Sequence, residues 1–325
     1  MSTVKAVLIS DVHYSLKTLA LADASLRAAF TEARRREVPL IIAGDLSDTK
    51  ALLRAECVNA ILKTFSEFPD VENYTIVGNH DLINEKSEAH SLNFLEGRTW
   101  LVREMNYDSS LDLYFIGYQH DTAKLESILE GIPDGATIVM HQGIMGAHMG
   151  EYVVDKSSIS PEKLARFRVI TGHYHRHHSI GTATYIGTPY TVTFTEASDG
   201  PKGIQLLHAD GSLEQVPLNL RRHVIRECRY EDVMQPIDVR SDDLLWVKVS
   251  GPASEVDKLK KKVVGQALIG HENFRFDRIY DEAAPAEIED VTLPPDQLFD
   301  DLIEQSEETP EQKAYLSKLW RQVMG

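Results

Sequence analysis

An α/β fold is the class this sequence predicts, on three observations. Five short apolar runs recur along it: Val4 to Ile9, Leu40 to Ala43, Tyr74 to Val77, Ile138 to Met140, and Val169 with Ile170. They read as buried strands. An amphipathic segment separates the first two, and every run is followed at once by Asp, Asn or His. Those residues are Asp11 and His13, Gly44-Asp45, Gly78-Asn79-His80-Asp81, His141, and Gly172-His173 with His175. Open α/β sheets build their sites at this carboxyl end of the strands.

Taken in order, Leu16 to Arg36 places Leu19, Leu26, Ala29, Phe30 and Ala33 largely on one face, a helix that closes a β-α-β unit over 4–45. Arg34, Arg35 and Arg36 form its solvated, cationic end. Residues 51–67 carry Leu52, Leu53, Val58, Ile61, Leu62 and Phe65 at helical spacing, and 86–96 reads as a shorter helix. Leu113 to Tyr118 is a strand ending in a surface turn, Gln119-His120-Asp121, and Pro133-Asp134-Gly135 is a turn before the strand to His141. Gly143 to Gly150, with His148, reads as a mobile loop beside the site. His177 and His178 prolong a histidine string, but side chains alternate along an extended segment, so only His173 and His175 are taken as ligands.

Tyr185 to Thr188, Val192 to Phe194 and Ile204 to Leu207 read as strands of a second sheet. The character changes near residue 222. Val224 to Tyr230, Leu244 to Val249 and Phe274 to Tyr280 are strand-like, with a helix over Ser254 to Val264 capped by Ser254. Residues 283–295 form a proline-marked linker. Two amphipathic helices follow, with apolar faces of Leu298, Phe299, Leu302 and Ile303 and of Tyr315, Leu316, Leu319, Trp320 and Val323.

The strand-end residues suit metal. Asp11, His13, Asp45, Asn79, His141, His173 and His175 offer more oxygen and nitrogen ligands than one tetrahedral zinc would use, which points to two ions. No thiolate is among them, so manganese, iron or zinc fits best. A carboxylate shared by two ions about 3.5–4 Å apart would clamp a phosphoryl group and acidify a water.

This ordered set resembles the calcineurin-like metallophosphoesterase superfamily. The later string Tyr185-Ile186-Gly187-Thr188-Pro189-Tyr190, then Phe194-Thr195-Glu196-Ala197, then Lys202-Gly203, resembles the SbcD family, the nuclease subunits of SbcC–SbcD repair complexes and related phage recombination endonucleases. The resemblance implies a two-sheet sandwich flanked by helices over 1–222, a small α/β cap domain over 223–282 that shapes access to DNA, and a linker with a C-terminal helical pair over 283–325. It implies a manganese-dependent phosphodiesterase acting on DNA through a hydroxide activated by two divalent ions. One ion would be held by Asp11, His13, Asp45 and His175, the other by Asp45, Asn79, His141 and His173. His80 would serve as general acid or phosphate contact, with Asp81 accepting its other ring N–H to orient it. An SbcC-type ATPase would seat its coiled-coil root on the C-terminal helices, and helices near 51–96 would pair two subunits. One departure stands out: Ser47 occupies a position where relatives often carry a bulkier residue.

Composition sets bounds. The chain has 325 residues, 42% of them apolar, and a formal net charge of −16. That charge argues against strong DNA binding by the protein alone. Residues 286–325 hold ten acidic and three basic side chains, so much of the acid lies in the tail. Cys57 and Cys228 show no CxxC spacing, and the N-terminus has no signal-peptide pattern, which together suggest a cytoplasmic protein. The metal motifs alone also suit a phosphomonoesterase or a cyclic-nucleotide phosphodiesterase. A non-catalytic scaffold on this fold would be free to lose ligands, yet all seven and His80 are present.

Overall fold

The computed structural model describes residues 3–84, 89–149, 154–270 and 274–281, and beyond these 303, 309, 312–316 and 319–320. The chain divides into two compact units, Met1–Ile279 and Tyr280–Gly325.

The chain opens with β1 (Val4–Ile9), α1 (Leu19–Arg36), β2 (Leu40–Ile42), α2 (Ala55–Glu67), β3 (Asn73–Ile76) and β4 (Trp100–Val102). There follow β5 (Met105–Asp108), β6 (Leu113–Ile116), α3 (Thr122–Glu130), β7 (Thr137–His141) and β8 (Arg168–Gly172). Then come β9 (His178–Ile180), β10 (Ala183–Tyr185), β11 (Gly203–His208) and β12 (Leu213–Pro217). These strands make two six-stranded sheets, ordered β12-β11-β1-β2-β3-β4 and β5-β6-β7-β8-β10-β9. Within the first, β1 to β4 run parallel; within the second, β6, β7, β8 and β10 do.

The continuous apolar strands are explained by burial on both faces. In β1, Ala6 and Leu8 meet Phe115, Val139 and Ile170 of the second sheet, while Val7 and Ile9 pack under Leu26, Ala29 and Phe30 of α1. Leu125 and Leu129 of α3 cover the outer face of the second sheet through Ile138, Met140 and Val169. The result is a helix-sheet-sheet-helix sandwich, as the sequence leads one to expect. The arginines ending α1 are engaged with acids, Arg34 with Asp70 and Arg35 and Arg36 with Glu32.

A third sheet joins β13 (His223–Arg229), β14 (Leu244–Gly251) and β15 (Arg275–Tyr280), with α4 (Ala253–Val256) and α5 (Lys261–Ile269). Strict alternation along β14 puts Leu245, Val247 and Val249 into a separate core with Val264 and Phe274.

Of the expected elements, Tyr185 to Thr188 is a strand only as far as Tyr185, and Ile204 to Leu207 pairs with β1 in the first sheet and not beside β10. Three more differ. The strand at Val192 to Phe194 is a 3-10 turn over Phe194–Glu196, because the Glu196 carboxylate accepts the Val192 N–H at 3.1 Å and curls the chain on itself. The helix over Ser254 to Val264 breaks in two, and Pro252, not Ser254, caps its first half, since Lys260 adopts extended backbone before α5. The helix over 86–96 is a 3-10 turn, Ser91–Leu95, capped by the His90 ring; residues 85–88 lie outside the described residues. Of the C-terminal faces, Leu298, Phe299, Leu302 and Val323 also lie outside them. Residues 312–316 are helical, and Thr309 and Gln312 exchange side-chain and backbone hydrogen bonds as a capping box. No helix among the described residues is long and apolar enough to cross a membrane.

Candidate metal centre

The parallel strands of both sheets deliver all seven proposed ligands to one place. Asp11 and His13 follow β1, Asp45 follows β2, Asn79 follows β3, His141 ends β7, and His173 and His175 follow β8. Asp11, Asp45 and His141 are fully or almost fully buried, and His13 is 3% exposed. Asp11, His13 and His175 converge as one cluster and Asp11, Asp45 and His141 as another. The Asn79 side-chain oxygen links the rest, 2.8 Å from His173 Nδ1 and 3.1 Å from His141 Nε2.

The local backbone is bent to achieve this. Asp11, His13, Asp45 and His173 take positive φ of 53°, 49°, 49° and 96°, a region costly to side chains with a Cβ. Such strain at four of the proposed ligands is held by the surrounding fold, as it is at functional sites. Glycine is needed beside them: a Cβ at Gly78 would strike the Asp45 carboxylate, and one at Gly44 the His141 ring.

The hydrogen-bond partners of the rings fit this donor set to cations. His141 Nδ1 lies 2.8 Å from the Ala43 carbonyl, which only accepts, so Nδ1 carries the proton. Its Nε2 then faces Asp45 Oδ2, 3.2 Å away, and the Asn79 oxygen, so a positive charge is needed there, carried by a proton or by a metal ion in its place. His175 Nδ1 donates to the Glu196 carboxylate at 2.9 Å, which turns its Nε2 toward His13 Nε2, 3.0 Å away. Carboxylates and imidazole nitrogens converging in a largely buried site suit a positive ion between them. The titration behaviour reflects the same demand. Burial drags His141 down, but Asp45 beside it outweighs this and raises it to about 9. Burial, with His141 nearby, lowers His173 to about 4, leaving a neutral ring able to ligate.

His80 lies at the rim, half-buried, its backbone N–H on Asp45 Oδ1 at 2.8 Å. Its Nδ1 donates to the Asp48 carbonyl at 2.8 Å, which leaves Nε2 as the nitrogen that can take or give a proton. The expected partner, Asp81, does not orient this ring. The buried Asp81 carboxylate accepts from the backbone of Leu46, Ser47 and Gly78 and from the Ser47 hydroxyl. It ties the Asp45 turn to the Asn79 turn, and burial, then Asp45, pushes it up to about 6. The small Ser47 is thereby accounted for: its hydroxyl is 2.8 Å from Asp81.

Sequence reasoning missed several contributors. Glu196 entered only as part of a family string, yet it fixes His175. Lys202 Nζ (2.7 Å) and Thr188 N (3.1 Å) donate to the His175 carbonyl, and Gly187 leaves room for the same backbone. Asp48, grouped with His13 and His80, stands 3.5 Å from His13 Nδ1. Tyr118 lies against His173, ring centroids 5.9 Å apart. Outside the cluster, His178 accepts from the His148 N–H and donates to Arg176 O, and Asp121 caps α3. Cys57 and Cys228 are free thiols.

The calcineurin-like phosphoesterase family profile matches residues 4–177, more than half of the chain and every proposed ligand. The chain belongs to this family. It is a metal-dependent phosphoesterase, with candidate clusters for divalent ions at the strand ends. A comparison with curated proteins finds no match.

Proposed function

We propose that the protein is an SbcD-type, manganese-dependent DNA nuclease subunit. The observation that carries this reading is the brace on His175: the string from Gly187 through Glu196 to Lys202, which resembles SbcD proteins, supports a residue of the metal cluster directly. Asp11, His13, Asp45 and His175 would hold one ion, and Asp45, Asn79, His141 and His173 the other. Asp45 alone belongs to both sets, and Asn79 limits the negative charge facing a phosphodiester. Bound divalent ions would supply Lewis acidity at the phosphate and acidify a nucleophilic water. His80, fixed through Nδ1, presents Nε2 to the departing oxygen as its proton source. An ATPase partner at the C-terminal helices, a homodimer and a cytoplasmic location complete the reading, with a cap role for residues 223–282.

The test is incubation with Mn²⁺ and linear duplex DNA, single-stranded DNA or a small phosphomonoester, beside an Asp45→Asn control. DNA cleavage that disappears in the control supports the nuclease. Phosphomonoester turnover with intact DNA supports the second reading, a small-molecule phosphatase, which the net charge of −16 favours.

A further inference from the structure

A cavity of about 520 Å³ opens beside the metal cluster, in the size range of small-molecule sites. The turn after β3 serves both places. Val77 and Leu82 form part of the cavity wall, while Asn79 and His80, between them, belong to the metal centre. Tyr118 is shared too: it borders the cavity, and its ring stands 5.9 Å from His173 and 6.5 Å from His141. A molecule in the cavity would therefore be a neighbour of any phosphate at the metals.

The chemistry of the walls selects the occupant. Arg103 and Lys124 are balanced by Glu104 and Asp121, so the lining is neutral in sum and offers both donors and acceptors. That disfavours a second phosphate and suits an uncharged group with polar edges. Val77, Leu82 and the Tyr118 ring add an apolar and aromatic surface. His90 borders the cavity but is only 4% exposed, its Nδ1 accepting from Leu92 N at 3.2 Å. A flat heterocycle with carbonyl or ring-nitrogen acceptors matches these features, and base–aromatic stacking tolerates any sequence.

We propose that this cavity receives the nucleoside next to the scissile phosphodiester, its base against Tyr118 and its polar edge among Arg103, Gln119 and Lys124. The assignment rests on the nuclease reading for the phosphodiester but is tested without it. Thymidine and 2-deoxyribose, which lack phosphate and cannot be turned over at the metals, are titrated against the Mn²⁺-loaded full chain by calorimetry. Thymidine should bind at least about tenfold more tightly. Leu82→Trp, which fills the cavity, should bring the two to parity, with thermal unfolding checking that it folds. Tyr118→Leu should reduce the preference severalfold and carries the test if the tryptophan variant does not fold. Equal affinities in the wild type, or a preference that survives both substitutions, overturn the assignment. The DNA-cleavage assay, read separately, decides the nuclease.

Discussion

The two ends of the metal cluster are secured by different means. Around His141 the main chain does the work: the Ala43 carbonyl fixes the ring, and the residues involved lie between 43 and 173. Around His175 the support comes from later in the chain and, apart from the Thr188 N–H, from side chains. Glu196 holds the ring and Lys202 holds its carbonyl, both beyond the matched family region of 4–177. A backbone carbonyl cannot be lost by point substitution, whereas a carboxylate can. The first end is thus built into the fold, and the second can be adjusted one residue at a time.

Substitutions can break this contrast, starting with the largest effect. Asp45→Asn strikes the residue between both ends and should reduce turnover to less than about a thousandth; metal analysis after gel filtration should find both ions depleted. His80→Asn spares both ends. It should retain metal while kcat falls about 10²–10⁴-fold, and near-normal turnover would reduce His80 to a supporting role. Glu196→Gln attacks only the His175 end. Manganese titration should show one site weakened about 10–100-fold and the other unchanged. Equal weakening of both would erase the distinction drawn above.

The smallest effect on the site, and a control for it, lies in the turn that leads into β14 of the third sheet. Asp243 is 3% exposed and accepts from the backbone N–H groups of Arg222 and Arg240 as well as their guanidinium groups. Burial opposes its ionisation, but Arg222 and Arg240 outweigh this and hold the carboxyl well below its usual range. A depressed carboxylate stabilises the fold above its unfolded pKa of roughly 4, and that gain is lost as pH falls toward the folded value. Asp243→Asn should therefore cost about 3 kcal/mol near neutral pH. In urea titrations the gap to wild type should narrow below about pH 4, with manganese binding unaltered.

The legibility of this molecule follows the same division. Strand ends were readable because the β1 to β3 runs are apolar on both faces and stop abruptly at a polar residue. The bend at Asp45 was hinted at by Gly44 beside it, whereas Asp11, between Ser10 and Val12, carries no such signal. The Glu196 brace was not readable, since it pairs positions 21 apart through a 3-10 turn that resembles a strand in composition. The true roles of Asp81 and Ser47 depended on a contact between two turns, 34 positions apart, that no local pattern carries.

The pairing of β11 with β1 has a consequence for synthesis. β1 lies in mid-sheet between β2 and β11, so its outer edge stays bare until Gly203–His208 has left the ribosome. Glu196 and Lys202 arrive only just ahead of that strand. A nascent chain thus carries most of the proposed ligands before it can brace His175, and the candidate metal centre is completed only when the last large piece of the sandwich closes. A ribosome stalled before that point would hold a chain with an exposed strand edge, a substrate for chaperones and proteases before it is an enzyme.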